Sequence, residues 1–182
     1  MNKFSFLSLI LGFTFISSTA FAAVDPEVSY ILNTLLFLIG GFLVMWMAAG
    51  FAMLESGLVT SKSVATIAAK NIGLYSIAGL MFWFVGYNLA YGIPEGGFIG
   101  TFLPWSDASS IETGYSDGSD WFFQMVFCAT TCSIVSGTMA ERIKIWPFFL
   151  FCAILAGVIY PIEMGWQWGG GHLAAAGFSA FA

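Results

Sequence analysis

Four stretches of this chain are too long and too apolar to fold as anything but membrane-spanning helices: residues 30–54, 64–90, 121–140 and 147–164, each to within a few positions. A hydrocarbon core of about 30 Å takes roughly 20 apolar residues of helix. Inside lipid every backbone donor and acceptor must be satisfied within the segment, which a helix achieves. The remaining composition agrees. Hydrophobic residues make up 59% of the chain and charged residues only 8%, against about 25% charged in an ordinary soluble domain. Such a chain cannot cover itself for water. The fold class expected is an all-α integral membrane bundle, with lipid as its first partner. The stretch 64–90 exceeds the bilayer core, so it must tilt or project beyond it. Residues 166–182 are rich in Gly and Ala and read as an outer loop leading toward a fifth span.

The first 22 residues have the form of a secretory signal peptide. Lys3 supplies the positive head, 4–16 an apolar run too short to span, and Thr19-Ala20-Phe21-Ala22 the small-residue cleavage pattern. The alternative is an uncleaved first helix, but Ser17, Ser18 and Thr19 close the apolar run early. Cleavage after Ala22 leaves 23–182 as the mature chain, with its N-terminus outside the cytoplasm. The basic residues give the same orientation. Lys62 lies between the first two spans, and Arg142 and Lys144 between the last two. The long connection 91–120 carries Glu95, Asp107, Glu112, Asp117 and Asp120 but no Lys or Arg. Basic turns stay in the cytoplasm, so the acidic connection is outer. The localisation expected is a plasma (inner) membrane, multi-pass. Tyr87, Tyr91, Trp105, Trp121, Trp166 and Trp168 then gather near the outer interface as an aromatic belt.

Gly40, Gly41, Ala48, Ala49, Gly50 and Ala52 in the first span, and Gly73 and Gly79 in the second, mark sites of close helix approach. Cys128, Cys132 and Cys152 lie in apolar runs and read as small buried hydrophobes. No metalloprotease, nucleophile-elbow or Cys–His pattern is present, so the chain reads as no enzyme and calls for no cofactor. His172, the single histidine, reads as a solvated or interfacial loop residue. With no basic patch to neutralise phosphates, a nucleic-acid partner is excluded.

Two ionisable residues lie at or within the spans, Glu55 and Lys70. A short turn joins their antiparallel helices and brings them to similar depth. They form either a buried ion pair or, if Lys70 snorkels, a separated one. Phe123 and Phe127 are four residues apart on one face of the third span, about 6 Å along its axis. Trp166 and Trp168 approach that surface from the end of the fourth. Such faces attract a cation by roughly 0.5–2 kcal/mol. Packing against lipid or core accounts for the spacing equally well.

Longer motifs resemble a known family. Gly50-Phe51-Ala52-Met53-Leu54-Glu55-Ser56-Gly57-Leu58-Val59 is similar to the end of the first helix of ammonium transporters (Amt/Mep/Rh). Phe123-Gln124, Phe127-Cys128-Ala129-Thr130, Ile134-Val135-Ser136-Gly137 and Ala140-Glu141-Arg142 are similar to the third helix and its following turn. Tyr160-Pro161-Ile162 and Trp168-Gly169-Gly170-Gly171 are similar to the fourth helix and outer loop. The resemblance runs from about Tyr30 to the last residue. It implies the N-terminal part of an eleven-helix subunit in a homotrimer, with a cytoplasmic regulatory protein as a further partner. It also implies recruitment of ammonium at an outer aromatic site, deprotonation, and passage of ammonia through a hydrophobic pore. Trp168 and Phe127 would line the recruitment site, Phe123 would sit beside it, and Gln124 would face the vestibule. Phe127 would also form part of the gate below. An ammonium-binding sensor that does not conduct is the alternative. Two departures follow from the same resemblance. The family's second half, with its pore histidines, lies beyond these residues, so this stretch alone should not conduct. Ala180 stands where the family has Asp, which should weaken the site.

Overall fold

Asp25, Pro26 and Glu27 open the first helix by ordinary capping chemistry. The Asp25 carboxylate accepts from the Glu27 amide at 2.9 Å, and Pro26 occupies the first turn, where it forfeits no helical hydrogen bond. In the computed structural model, residues 24–178 are described. The signal-peptide reading of 1–22 and the departure at Ala180 lie outside them.

The described residues form a helical membrane bundle. Helix α1 spans Pro26–Leu58. The second span combines α2 (Val64–Met81), a π-helical turn (Phe82–Gly86) and α3 (Tyr87–Tyr91). The third is α4 (Asp117–Met139). The fourth combines α5 (Ile145–Ile154), a second π-helical turn (Leu155–Ile159) and α6 (Tyr160–Gln167), followed by the short α7 (His172–Ala175). These helices outrun the apolar stretches that announce them. The 33 residues of α1 cover about 50 Å, more than a hydrocarbon core needs. Helix α4 begins at Asp117 because its first turn, including Asp117 and Asp120, suits the positive end of a helix.

The π-helical turns have local causes. Pro161 lacks an amide hydrogen and its ring crowds the preceding turn of backbone, so Leu155–Ile159 widens ahead of it. The Ala156 carbonyl receives the Cys128 thiol instead, at 3.4 Å. Gly86, at the end of the other wide turn, faces Pro161: a Cβ there would meet its Cγ at 3.1 Å and the Ala156 carbonyl at the same distance.

Helix α4 is central, contacting α1 and α2 directly, while α2 also packs on α5. Two small-residue positions explain how α1 docks. A Cβ on Gly40 would meet the Phe123 ring at 2.8 Å, and one on Gly41 the Phe122 ring at 2.6 Å. Gly50, in contrast, has nothing within 4 Å, so it marks no helix contact here. The core lies between α2, α4 and α5, where Leu74, Phe82, Val126, Phe148 and all three cysteines are buried. The outer side of α1 leaves Leu36, Trp46 and Met53 largely exposed, an apolar surface suited to lipid or to other membrane helices.

Glu55 and Lys70 form a buried ion pair at 3.0 Å, with side chains only 3% and 5% exposed. Lys70 does not snorkel. Its ammonium also donates to the Ser136 carbonyl at 3.0 Å and sits 5.0 Å from the centre of the Phe148 ring. The Ser136 hydroxyl donates to Glu55 at 2.9 Å. Three spans are thus tied at the end of the bundle that carries Lys62, Arg142 and Lys144. At that end Glu141 adopts a left-handed φ of 60° and accepts from the Thr60 amide at 3.1 Å and from its hydroxyl. The Thr60 and Ser63 hydroxyls hold its carboxyl below the usual range.

At the opposite end, the expected aromatic belt is only partly a belt. Tyr87, Tyr91 and Trp121 pack against the core rather than facing outward. For Tyr87 the reason is polar: its hydroxyl donates to the buried Asp120 carboxylate at 2.7 Å.

Candidate functional site

The end of the fourth span is seated on the end of the second by two glycines. A Cβ on Gly165 would meet the Ala90 carbonyl at 2.7 Å, and one on Gly169 would overlap it outright. This close approach sets where Trp168 stands. Its amide still donates to the Met164 carbonyl at 2.8 Å, so the ring leaves from the last helical turn.

Trp168 closes one side of a cavity of about 530 Å³ at the acidic end of the bundle. The other walls are Phe123, Gln124 and Phe127 from α4, Tyr160 and Met164 from α6, and Phe37 from α1. Phe123 stands between two other rings, edge-on to Phe127 at 5.1 Å and tilted against Phe37 at 5.4 Å. Phe127 lies one helical turn further into the bundle. It remains 36% exposed and Trp168 54% exposed, so both rings have faces free for a ligand or for further protein.

The four residues expected from the sequence, Phe123, Gln124, Phe127 and Trp168, therefore border one cavity. Phe37, Tyr160 and Met164 were not anticipated as wall residues. Phe37 carries no motif, and its place depends on the approach of α1 through Gly40 and Gly41. Trp166 was expected at the same surface and is not there. Its Nε1 donates to the Phe98 carbonyl at 2.8 Å, and its ring packs edge-on against His172 at 4.9 Å. Standing two residues before Trp168 at the helix end, it points toward the 91–116 connection. His172, read from the sequence as a solvated or interfacial loop residue, is half-buried at the start of the short α7. Its ring stacks on Phe98 at 4.3 Å and its Nδ1 is buried. It borders no part of the cavity.

The cavity is electrostatically one-sided. Asp120, 6% exposed, lies behind Gln124, whose Nε2 donates to its Oδ1 at 3.1 Å. The described cations, Lys62, Lys70, Arg142 and Lys144, all belong to the other end of the bundle. Tyr115, beside Phe37 at 4.9 Å, has its phenol pushed up by burial and then by Asp120 and Asp117, which keeps it protonated. Asp107, further out on the same connection, is held below the usual carboxylate range by the Ser109 hydroxyl and amide. Aromatic faces, one amide and a negative background suit a small organic or inorganic cation. Among the described residues no group of His, Cys, Asp and Glu could hold a metal ion.

The Ammonium Transporter Family is matched over residues 35–182. An ammonium transporter of Archaeoglobus fulgidus is 44% identical over 146 residues, covering 78% of this chain and 30% of that protein. The ammonium transporter of Aquifex aeolicus is 32% identical over an alignment covering all of this chain and 44% of its own length. Among solved structures, a sensor Amt protein superposes with a TM-score of 0.71 at 30% identity, covering 80% of this chain and 36% of that one. The chain thus spans less than half the length of these relatives.

Proposed function

Because this chain belongs to the ammonium transporter family, we propose that it supplies the outer recruitment site and part of the pore wall of an ammonium-transporting membrane subunit. The observation that carries this reading is the convergence of Phe123, Phe127 and Trp168 with Gln124 on one cavity backed by a buried carboxylate. A hydrated ammonium ion approaching the acidic end meets aromatic faces that replace part of its water shell. Below them, the apolar wall raises the cost of a desolvated charge while a neutral amine passes at little cost. Recruitment at Trp168 and Phe127, loss of a proton, and passage of ammonia past the gate containing Phe127 follow in that order.

The acidic connection is outer and the turns with Lys62 and Arg142 are cytoplasmic, with the N-terminus outside after cleavage of 1–22. The completed subunit acts in the plasma membrane as a homotrimer, with a cytoplasmic regulatory protein as a further partner. Residues 1–182 alone do not conduct, since four spans enclose only part of a pore.

One observation favours a second reading: the solved structure with a TM-score of 0.71 is named a sensor. A sensor would bind ammonium at the same cavity without moving it. The test is uptake of the ammonium analogue methylammonium by liposomes containing the full-length protein. Uptake above empty liposomes supports transport. Uptake equal to empty liposomes, with ammonium still altering the protein's tryptophan fluorescence, selects the sensor.

A further inference from the structure

Gln124 is the single amide side chain on an otherwise aromatic and thioether-lined cavity, and what it presents there depends on which way its amide points. An amide end can turn either its NH2 donors or its carbonyl oxygen toward a ligand. Only the oxygen can bind an N–H cation. A freely rotating amide would divide its time between the two.

The structure fixes the choice through a residue that does not touch the cavity. Asp120 lies one helical turn before Gln124 on α4, buried against the second span. A carboxylate accepts hydrogen bonds at both oxygens. Its Oδ2 receives the Tyr87 hydroxyl at 2.7 Å, and its Oδ1 receives Gln124 Nε2 at 3.1 Å. The nitrogen of Gln124 must therefore face Asp120. Reversing the amide would set oxygen against oxygen, and two acceptors facing each other repel. Nε2 is thus committed to Asp120, and Oε1, with no hydrogen-bond partner among the described residues, is the end of this cavity-lining amide left to accept from a ligand.

Asp120 itself is held firmly enough to do this. Tyr87 anchors it from the second span, and the positive end of α4 favours a carboxylate in its first turn. No described lysine or arginine pairs with it; the described ion pair is Glu55 with Lys70, at the other end.

We propose that Asp120 is a positioning residue for the cavity: it locks the Gln124 amide so that Oε1 accepts a hydrogen bond from a small N–H cation held against Phe123, Phe127 and Trp168. The ligand class is a protonated amine with hydrogens to donate. An alkali cation of similar size has none, and a quaternary ammonium has none. The aromatic faces supply attraction to charge, and the oriented oxygen supplies preference for N–H. This rests on the recruitment reading above and adds the device that sets its selectivity.

The test is the concentration dependence of methylammonium uptake by the full-length protein, read as KM separately from maximal rate per folded molecule. Gln124→Met keeps the side-chain length and removes the acceptor, and should raise KM about tenfold, equivalent to about 1.4 kcal/mol. Asp120→Ala leaves Gln124 free to present either end, and an amide that divides its time equally between them should raise KM about twofold. The double variant should be no worse than the poorer single, because the two residues act as one device. Maximal rate should change little in each variant, which a merely structural role for Asp120 would not predict. Trp168→Leu is measured alongside. If Trp168→Leu raises KM while Asp120→Ala does not, the recruitment reading stands and the positioning role is wrong. The role is equally overturned if the two single effects multiply in the double variant. Wild-type uptake that does not saturate overturns both readings.

Discussion

Replacing Lys70 by Met should destabilise the bundle strongly. The Lys70 ammonium lies 3.0 Å from Glu55 Oε2, donates to the Ser136 carbonyl at 3.0 Å, and rests 5.0 Å from the centre of the Phe148 ring. Met fills most of the same volume, so the change is chiefly electrostatic. What remains is a Glu55 carboxylate, 3% exposed, with the Ser136 hydroxyl as its one strong donor. Its Oε1 has no hydrogen-bond partner even in the intact protein. Removing one member of a buried pair typically costs about 3–5 kcal/mol, because the surviving charge stays desolvated and uncompensated. Coulomb attraction at this separation, with an effective dielectric of about 20, comes to roughly 5 kcal/mol and agrees. Removing both charges behaves differently. Lys70→Met combined with Glu55→Leu replaces the pair by apolar groups of similar size, which is commonly close to neutral. The full-length protein, unfolded by titration with SDS in mixed micelles, gives the three free-energy changes. The expected pattern is a large loss in Lys70→Met that is mostly recovered in the double variant. If the single losses are each below about 1 kcal/mol and simply add, the pair does not hold the three spans together and the reasoning fails.

Trp168→Leu should weaken recruitment by about 1–2 kcal/mol, near tenfold in methylammonium KM, since Leu keeps the apolar bulk and loses the cation-binding face; an unchanged KM returns Trp168 to packing. Gly41→Leu should cost about 1–3 kcal/mol by forcing α1 away from the Phe122 ring, while Gly50→Leu, with open space around it, should leave stability nearly unchanged, and SDS titration separates the two. In a background lacking Cys128, Cys132 and Cys152, a cysteine at position 107 should be labelled by an impermeant reagent from outside intact cells and one at position 62 only after permeabilisation; the reverse pattern inverts the proposed topology.

That the chain is a helical membrane bundle could be read from its residues alone. Lipid admits few structures, and apolar length alone selects among them, so the four spans could be read without knowing a single contact. The extra turns at their ends were harder to read. Asp25 caps the first helix with its carboxylate, Pro26 opens its first turn, and Asp117 stands in the first turn of α4; counting apolar residues misses all three. The depth of Glu55 and Lys70 was legible because a short turn fixes it, but whether they pair was decided by Ser136 and Phe148, which arrive from the third and fourth spans. The cavity divides in the same way. Phe123, Gln124 and Phe127 share a face by helical spacing, and the motif around Trp168 singled it out. That all four border one space required Gly165 and Gly169 to pack on Ala90, and Gly40 and Gly41 to admit the rings of α4. Trp166 and Trp168 look interchangeable in sequence. The tertiary structure gives one the Phe98 carbonyl and the other the cavity, because a step of two residues at a helix end reverses the direction of a side chain. The orientation of Gln124 was least legible of all. It depends on a carboxylate one turn away and on a tyrosine from another span, and only the packed bundle brings those three side chains within hydrogen-bonding distance.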